Sequence, residues 1–199
     1  MLIDSHCHVL STEYDDPNKV IEESLKSGVS KLIINGYDLK TRILAVQLAR
    51  KYDSVYAAVG IGPQNIDNLP ENFIDEINSL AKNKKVVAIG EIGLDYYWTK
   101  DTKEKQIYVF KSMLKIAEEN KLPVIVHSRE STLDTYNILK EHKVTGIMHC
   151  FSGSVQTACN FIKLGFLIGV GGVVTFKNSK IIKEKRTTFM PLLSRIETY

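Results

Sequence analysis

The amino-acid sequence predicts an α/β fold of the TIM-type (β/α)8 barrel kind, incomplete, with about seven strands and the eighth missing. Three observations carry this. Short apolar runs alternate with amphipathic segments, the pattern of β/α architecture. The runs are rich in Val and Ile and mostly lack polar alternation, as strands buried on both faces do. Four of the five histidines stand where such a run ends. A barrel of this kind takes about 250 residues, against 199 here.

The runs predicted as strands are Leu2–Ser5, Lys31–Asn35, Val55–Gly60, Val86–Glu91, Pro123–His127, Gly146–His149 and Phe166–Val170. Between them, Pro17–Ser27 opens on a proline suited to a first helical turn and stops at Gly28, a left-handed cap. Helices are predicted next over Asp38–Lys51 and Pro70–Lys82. Thr102–Asn120 is the longest, with Ile107, Phe110, Leu114 and Ala117 at three- and four-residue spacing. Ser131–His142 follows, and Ser154–Leu164 begins at a serine and ends before Gly165. Ser5-His6-Cys7-His8 stands after the first strand, where a dinucleotide fold would carry a glycine-rich turn. No repeat or linker divides the chain, so one domain over 1–199 is expected.

A net charge of +3 is too small to argue for a polyanionic partner, so any such partner must be argued from a site. Basic residues are scattered, apart from a cluster around Lys177–Arg186. Three cysteines, Cys7, Cys150 and Cys159, make no disulfide framework and point to a reducing compartment. Met1-Leu2-Ile3-Asp4 does not open a signal peptide, and no apolar run approaches the roughly 20 residues that span a bilayer. A soluble cytoplasmic protein, with no membrane and no obligate protein partner, is the expectation.

The chemistry gathers at the strand ends. His6 and His8 close the first strand, Glu91 the fourth, His127 the fifth and His149 the sixth. In a parallel barrel these ends open on one rim, where barrel enzymes place their sites. His6 and His8 are two apart, so an extended strand points both imidazoles to one side. Converging imidazoles with a carboxylate able to bridge would hold one or two metal ions. A carboxylate directly after the apolar Val86–Ile89 is costly to bury without a cation. The fifth histidine, His142, sits near a helix end beside Glu141 and Lys143 and reads as solvated or dipole-facing. Cys7 and Cys150 alternate with ligand histidines and read as small core residues; Cys159 lies on a helix face with Val155 and Ile162.

Five blocks appear in order: Asp4-Ser5-His6-Cys7-His8, Gly90-Glu91-Ile92-Gly93-Leu94-Asp95-Tyr96-Tyr97, His127-Ser128-Arg129-Glu130, His149-Cys150-Phe151-Ser152-Gly153 and Gly172-Val173-Val174-Thr175-Phe176-Lys177-Asn178. They resemble the TatD family of metal-dependent deoxyribonucleases, among the amidohydrolase-like barrels. The resemblance implies a two-metal phosphodiesterase that removes nucleotides from a DNA substrate. It assigns His6 and His8 to the first divalent ion, His127 and His149 to the second, and Glu91 as the bridge. Zn²⁺, Mn²⁺ and Mg²⁺ all suit such a ligand set. Arg129 serves either as a phosphate clamp or as a rim ion pair with Glu130 or Asp134. Tyr96, Tyr97 and Trp98 either stack on unpaired bases or pack the loop itself.

Two departures stand out. The family usually has histidine at the position of Gly62, and often at Gln64, where imidazoles face the substrate. Its members also continue to an eighth strand ending in Glu-Thr-Asp-Ser-Pro, whose aspartate binds metal and takes a proton from water. Here Glu197-Thr198 is followed by Tyr199. A truncated or frame-disrupted member is therefore expected, out of register over Lys185–Tyr199, with exposed edge strands one and seven. Loss of a general base costs about 10²–10⁴-fold in rate, so metal binding with weak or absent nuclease activity is the expectation. The alternatives are a small-molecule amidohydrolase-like enzyme, or a non-catalytic fragment of a split or frameshifted gene.

Overall fold

The computed structural model describes residues 2–98 and 100–172. Strand β1 (Leu2–Cys7) leads to α1 (Pro17–Lys26), β2 (Val29–Gly36), α2 (Thr41–Lys51), β3 (Val55–Val59), α3 (Phe73–Ala81) and β4 (Val86–Asp95). A 3₁₀ turn (Lys100–Thr102) precedes α4 (Lys103–Asn120), β5 (Val124–Arg129), α5 (Thr132–Lys140), β6 (Gly146–Met148), α6 (Val155–Lys163) and β7 (Phe166–Ile168). The seven strands form one parallel sheet in sequence order. The predicted elements are all present. The expected loss of the eighth strand, the Lys177–Arg186 cluster, the changed register over Lys185–Tyr199 and Tyr199 itself fall on residues outside those described.

The sheet is rolled. In a flat sheet, strands about 4.8 Å apart would put β1 and β6 about 24 Å from each other. Instead, the ring of His6 on β1 stacks on that of His149, just after β6, at 3.9 Å. Alternate residues of each strand then take opposite surroundings. Val55, Ala57 and Val59 of β3 and Val124 and Val126 of β5 join the large apolar cluster with helix residues such as Ala45, Ile77, Phe110 and Leu114. Ala58, Ala88 and Ile125 form a separate small cluster with Ile33, filling the concave side. His127 shares the parity of Ile125, and so projects from the concave side at the rim.

Local chemistry sets the element ends. Asp16 caps α1 by accepting from the Asn18 and Lys19 amides. Asp38, predicted as the first residue of a helix, lies before it: its Oδ1 accepts from the amides of Lys40 and Thr41, so α2 starts at Thr41. Pro70 likewise lies before α3. Strand β4 runs to Asp95, four residues past the predicted end at Glu91. Its register against β5 shifts between Ile89 and Ile92, and the Gly90–Glu91 peptide is cis. Among the described residues, no helix is long and apolar enough to cross a membrane.

Aromatic packing holds the last β/α units. Phe161 of α6 is fully buried and makes edge contacts with Tyr136, Phe151 and Phe166 at 5.7, 6.2 and 6.5 Å. Phe161→Ala is expected to lower unfolding free energy by about 3–5 kcal/mol, measured as a lower urea midpoint at constant slope.

Candidate metal centre

The rolled sheet brings five side chains to one point. Glu91, 8% exposed, receives two imidazoles on each carboxylate oxygen. His6 Nε2 and His8 Nε2 lie 3.4 and 3.3 Å from Oε2. His127 Nδ1 and His149 Nε2 lie 2.9 and 3.1 Å from Oε1. Within each pair the ring nitrogens stand close, 3.0 Å for His6–His8 and 3.1 Å for His127–His149. Two groups able to hold an ion result, His6–His8–Glu91 and Glu91–His127–His149.

Hydrogen bonds on the far side of two rings set their tautomers. His8 Nδ1 lies 3.0 Å from the Asn35 carbonyl oxygen, which only accepts, so Nδ1 carries the proton and Nε2 is a lone pair. His127 Nε2 lies 3.1 Å from Asp95 Oδ2, so it donates and leaves Nδ1 free. These lone pairs turn toward the other ligand atoms, where two imidazole nitrogens about 3 Å apart repel unless a proton or a metal ion lies between them. Zn–N bonds of about 2.0–2.1 Å in a tetrahedral site put ligand atoms roughly 3.3 Å apart. The observed spacings fit a divalent ion in each group.

The electrostatics follow from the same contacts. Burial opposes ionisation of Glu91, but the imidazoles of His127, His149 and His8 that face it outweigh the burial and hold the carboxyl well below its usual range. Burial, with the positive charge of His149, pushes His6 down to about 3. Burial works the same way on His149, yet the neighbouring Cys150 and Glu91 side chains raise it to about 9. His8 is also raised: its burial is outweighed by Glu91 and the Asn35 carbonyl. The Nδ1 atoms of His6 and His149 are buried without a hydrogen-bond partner.

The remaining sequence candidates lie close by. Arg129 ends β5 with its guanidinium over the ring of Tyr97 at 3.9 Å and 5.4 Å from that of Trp98. Asp134, one suggested partner for Arg129, pairs with Lys103 at 2.7 Å and accepts from the Tyr96 hydroxyl at 2.8 Å. Tyr96 is half-buried against the core, whereas Tyr97 and Trp98 are 48% and 62% exposed. Gly62 and Gln64 line a cavity of about 310 Å³ with His8, Tyr37, Glu91 and His127. Two expectations are corrected. Cys150 is exposed rather than in the core, because its φ of 44° turns the chain at the rim. His142 is not freely solvated: its Nδ1 lies 3.4 Å from Glu118 of α4. Cys7 packs against the core and donates to the Ile33 carbonyl, and Cys159 is half-buried.

A rolled β/α sheet whose strand ends gather four imidazoles round one carboxylate defines the barrel class of metal-dependent hydrolases. A family model described as TatD related DNase matches residues 3–192, and the chain belongs to that family. YabD of Bacillus subtilis, a metal-dependent hydrolase, is 42% identical over 188 residues, covering 92% of this chain and 74% of YabD. YcfH of Escherichia coli, named in the same way, is 34% identical over 198 residues, covering 96% of this chain and 74% of YcfH. The crystal structure of YjjV, a TatD homolog from Escherichia coli, superposes with a TM-score of 0.80 at 34% identity, over 88% of this chain and 70% of YjjV.

Gly93 shows how closely the backbone approaches the centre. It pairs with His127 at a φ of 140°, and a Cβ there would run into the His127 carbonyl oxygen. Gly93→Ala is expected to push β4 from β5 and lower the metal content of the purified protein, read by elemental analysis. Wild-type metal content in a folded variant would refute this.

Proposed function

We propose that the chain is a single barrel domain that hydrolyses phosphodiester bonds at DNA ends, with His6 and His8 on one ion, His127 and His149 on a second, and Glu91 bridging them. One observation carries this reading: each oxygen of Glu91 faces its own pair of imidazoles. Two divalent ions (Zn²⁺, Mn²⁺ or Mg²⁺) held by these residues would supply an activated water and charge neutralisation for phosphodiester cleavage. The description of the matching family as a TatD related DNase supports DNA as the substrate.

The chain's own side chains bind and orient. Arg129 follows His127 by two residues on β5, so both project to the same side of the sheet. Stacking on Tyr97 occupies the flat face of the guanidinium and leaves its in-plane N–H donors for a phosphate. The exposed rings of Tyr97 and Trp98 suit unpaired bases, each stack contributing about 1–3 kcal/mol. Tyr96 supports this ledge from beneath through its bond to Asp134. The three cysteines are free, which supports a cytoplasmic setting.

A second reading rests on the cavity beside His8 and Glu91, whose volume of about 310 Å³ is on the scale of a small-molecule site. An amidohydrolase-like enzyme would turn over an amide or ester without competition from single-stranded DNA.

The first test measures metal content and cleavage of an end-labelled single-stranded oligonucleotide, for wild type and Glu91→Ala. Wild type is expected to carry two ions per chain and to cleave. Glu91→Ala loses a ligand of both groups, so metal affinity should fall by more than about 100-fold, and cleavage with it. Metal-independent cleavage, or full activity in Glu91→Ala, would reject the reading. Arg129→Ala is expected to lower kcat/KM for DNA by roughly tenfold, the loss of a charged hydrogen bond of about 1.5 kcal/mol. An unchanged value removes Arg129 from substrate binding.

A further inference from the structure

Asp95 was not among the residues singled out from the sequence, yet its carboxylate has more partners than most side chains near the centre. It is completely buried at the end of β4. Gln106 of α4 holds its backbone from behind: Oε1 accepts from the Asp95 amide at 2.8 Å, and Nε2 donates to its carbonyl at 2.9 Å. The two carboxylate oxygens face different structures. Oδ1 accepts from the amides of Tyr97 and Trp98 at 2.9 and 3.3 Å. Oδ2 accepts from Gln64 Nε2 at 3.0 Å and from His127 Nε2 at 3.1 Å.

This set of donors requires a carboxylate. Only an ionised acid offers acceptors on both branches. A carboxamide has one oxygen, so its NH₂ would face either the two backbone amides or the Gln64–His127 pair. Burial opposes the charge, but these hydrogen bonds, with that from Gln64 the largest, keep the Asp95 carboxyl below its usual range.

We propose that Asp95 is the positioning residue of the Glu91–His127–His149 group, and that the same carboxylate ties this group to the Tyr97–Trp98 ledge. Through Oδ2 it fixes the His127 tautomer that leaves Nδ1 as a ligand atom. Through Oδ1 it fixes the turn that places Tyr97 under Arg129. Gln64 is the outer member of this relay: its exposed side chain spends its amide donor on Asp95. The inference rests on the metal-centre reading above. It adds that the two ion positions differ in support: Asp95 bonds His127, whereas His8 is held by the Asn35 carbonyl.

The test titrates Mn²⁺ or Zn²⁺ into chelator-stripped full chain by calorimetry, for wild type, Asp95→Asn and Gln64→Ala. Asp95→Asn is expected to lose about 10–100-fold in affinity for one of two ions, with the other unchanged. Gln64→Ala, at an exposed position that tolerates truncation, should weaken the same ion by roughly 2- to 10-fold. Trp98 is the sole tryptophan of the chain, so a fall in its fluorescence anisotropy in Asp95→Asn reads release of the turn. General destabilisation would weaken both ions alike and would overturn the proposal. Two ions bound with wild-type affinities by folded Asp95→Asn, or by Gln64→Ala where Asp95→Asn does not fold, would also overturn it. A wild-type chain that binds no ion at all would remove the metal-centre reading, and this inference with it.

Discussion

The constraint on which the rest depends is the burial of one negative charge. An ionised carboxylate removed from water is costly unless it is paired and fully hydrogen-bonded. Glu91 meets that condition through the protons or cations held by the imidazoles from β1, β5 and the residue after β6 that reach it together. Those three places are neighbours only in a rolled sheet, so the curvature of the fold and the ionisation of the site are one requirement. The short side chains Ala58 and Ala88 on the concave side leave the space that such curvature needs.

Strand parity carries the design outward from that point. Ile125 fills the interior, His127 two residues on faces Glu91, and Arg129 two further on lies on the exposed rings. A single strand therefore carries a core residue, a candidate metal ligand and the arginine proposed for the substrate within five residues. The parallel strand β4 runs from Ala88 in the interior to Glu91 at the centre and, after one shift of register, ends at the buried Asp95 behind His127.

Much of this was legible in the sequence. The two-residue spacing of His6 and His8, and the apolar runs that stop at His127 and His149, pointed to the strands and to the side chains that the fold brings together. The end of β4 was not legible. Gly90 and Gly93 interrupt the apolar run and look like a turn, yet both lie inside the strand, pressed against Ile125 and His127 where a side chain has no room. With the strand ended at Glu91, Asp95 fell outside every predicted element. A usable signal existed: a ligand imidazole needs an acceptor for its second nitrogen, and Asp95 lies on the strand beside His127. Cys150 was misread, and the Glu118 partner of His142 missed, for a related reason. Their settings depend on α4 and on a left-handed turn, which the spacing of residues along the chain does not encode.

The stacked rings of His6 and His149 have a consequence for how the chain comes together. Strand β1 supplies one ring, and its partner is made only after five further strands. Contacts of such long sequence separation form late, because the loop they close must first be ordered. The cradle of candidate ligands is therefore complete only when the two ends of the described sheet have met. An ion that bound the finished cradle would favour the native state by mass action, and its supply in the cell would then bear on how much of the chain is folded.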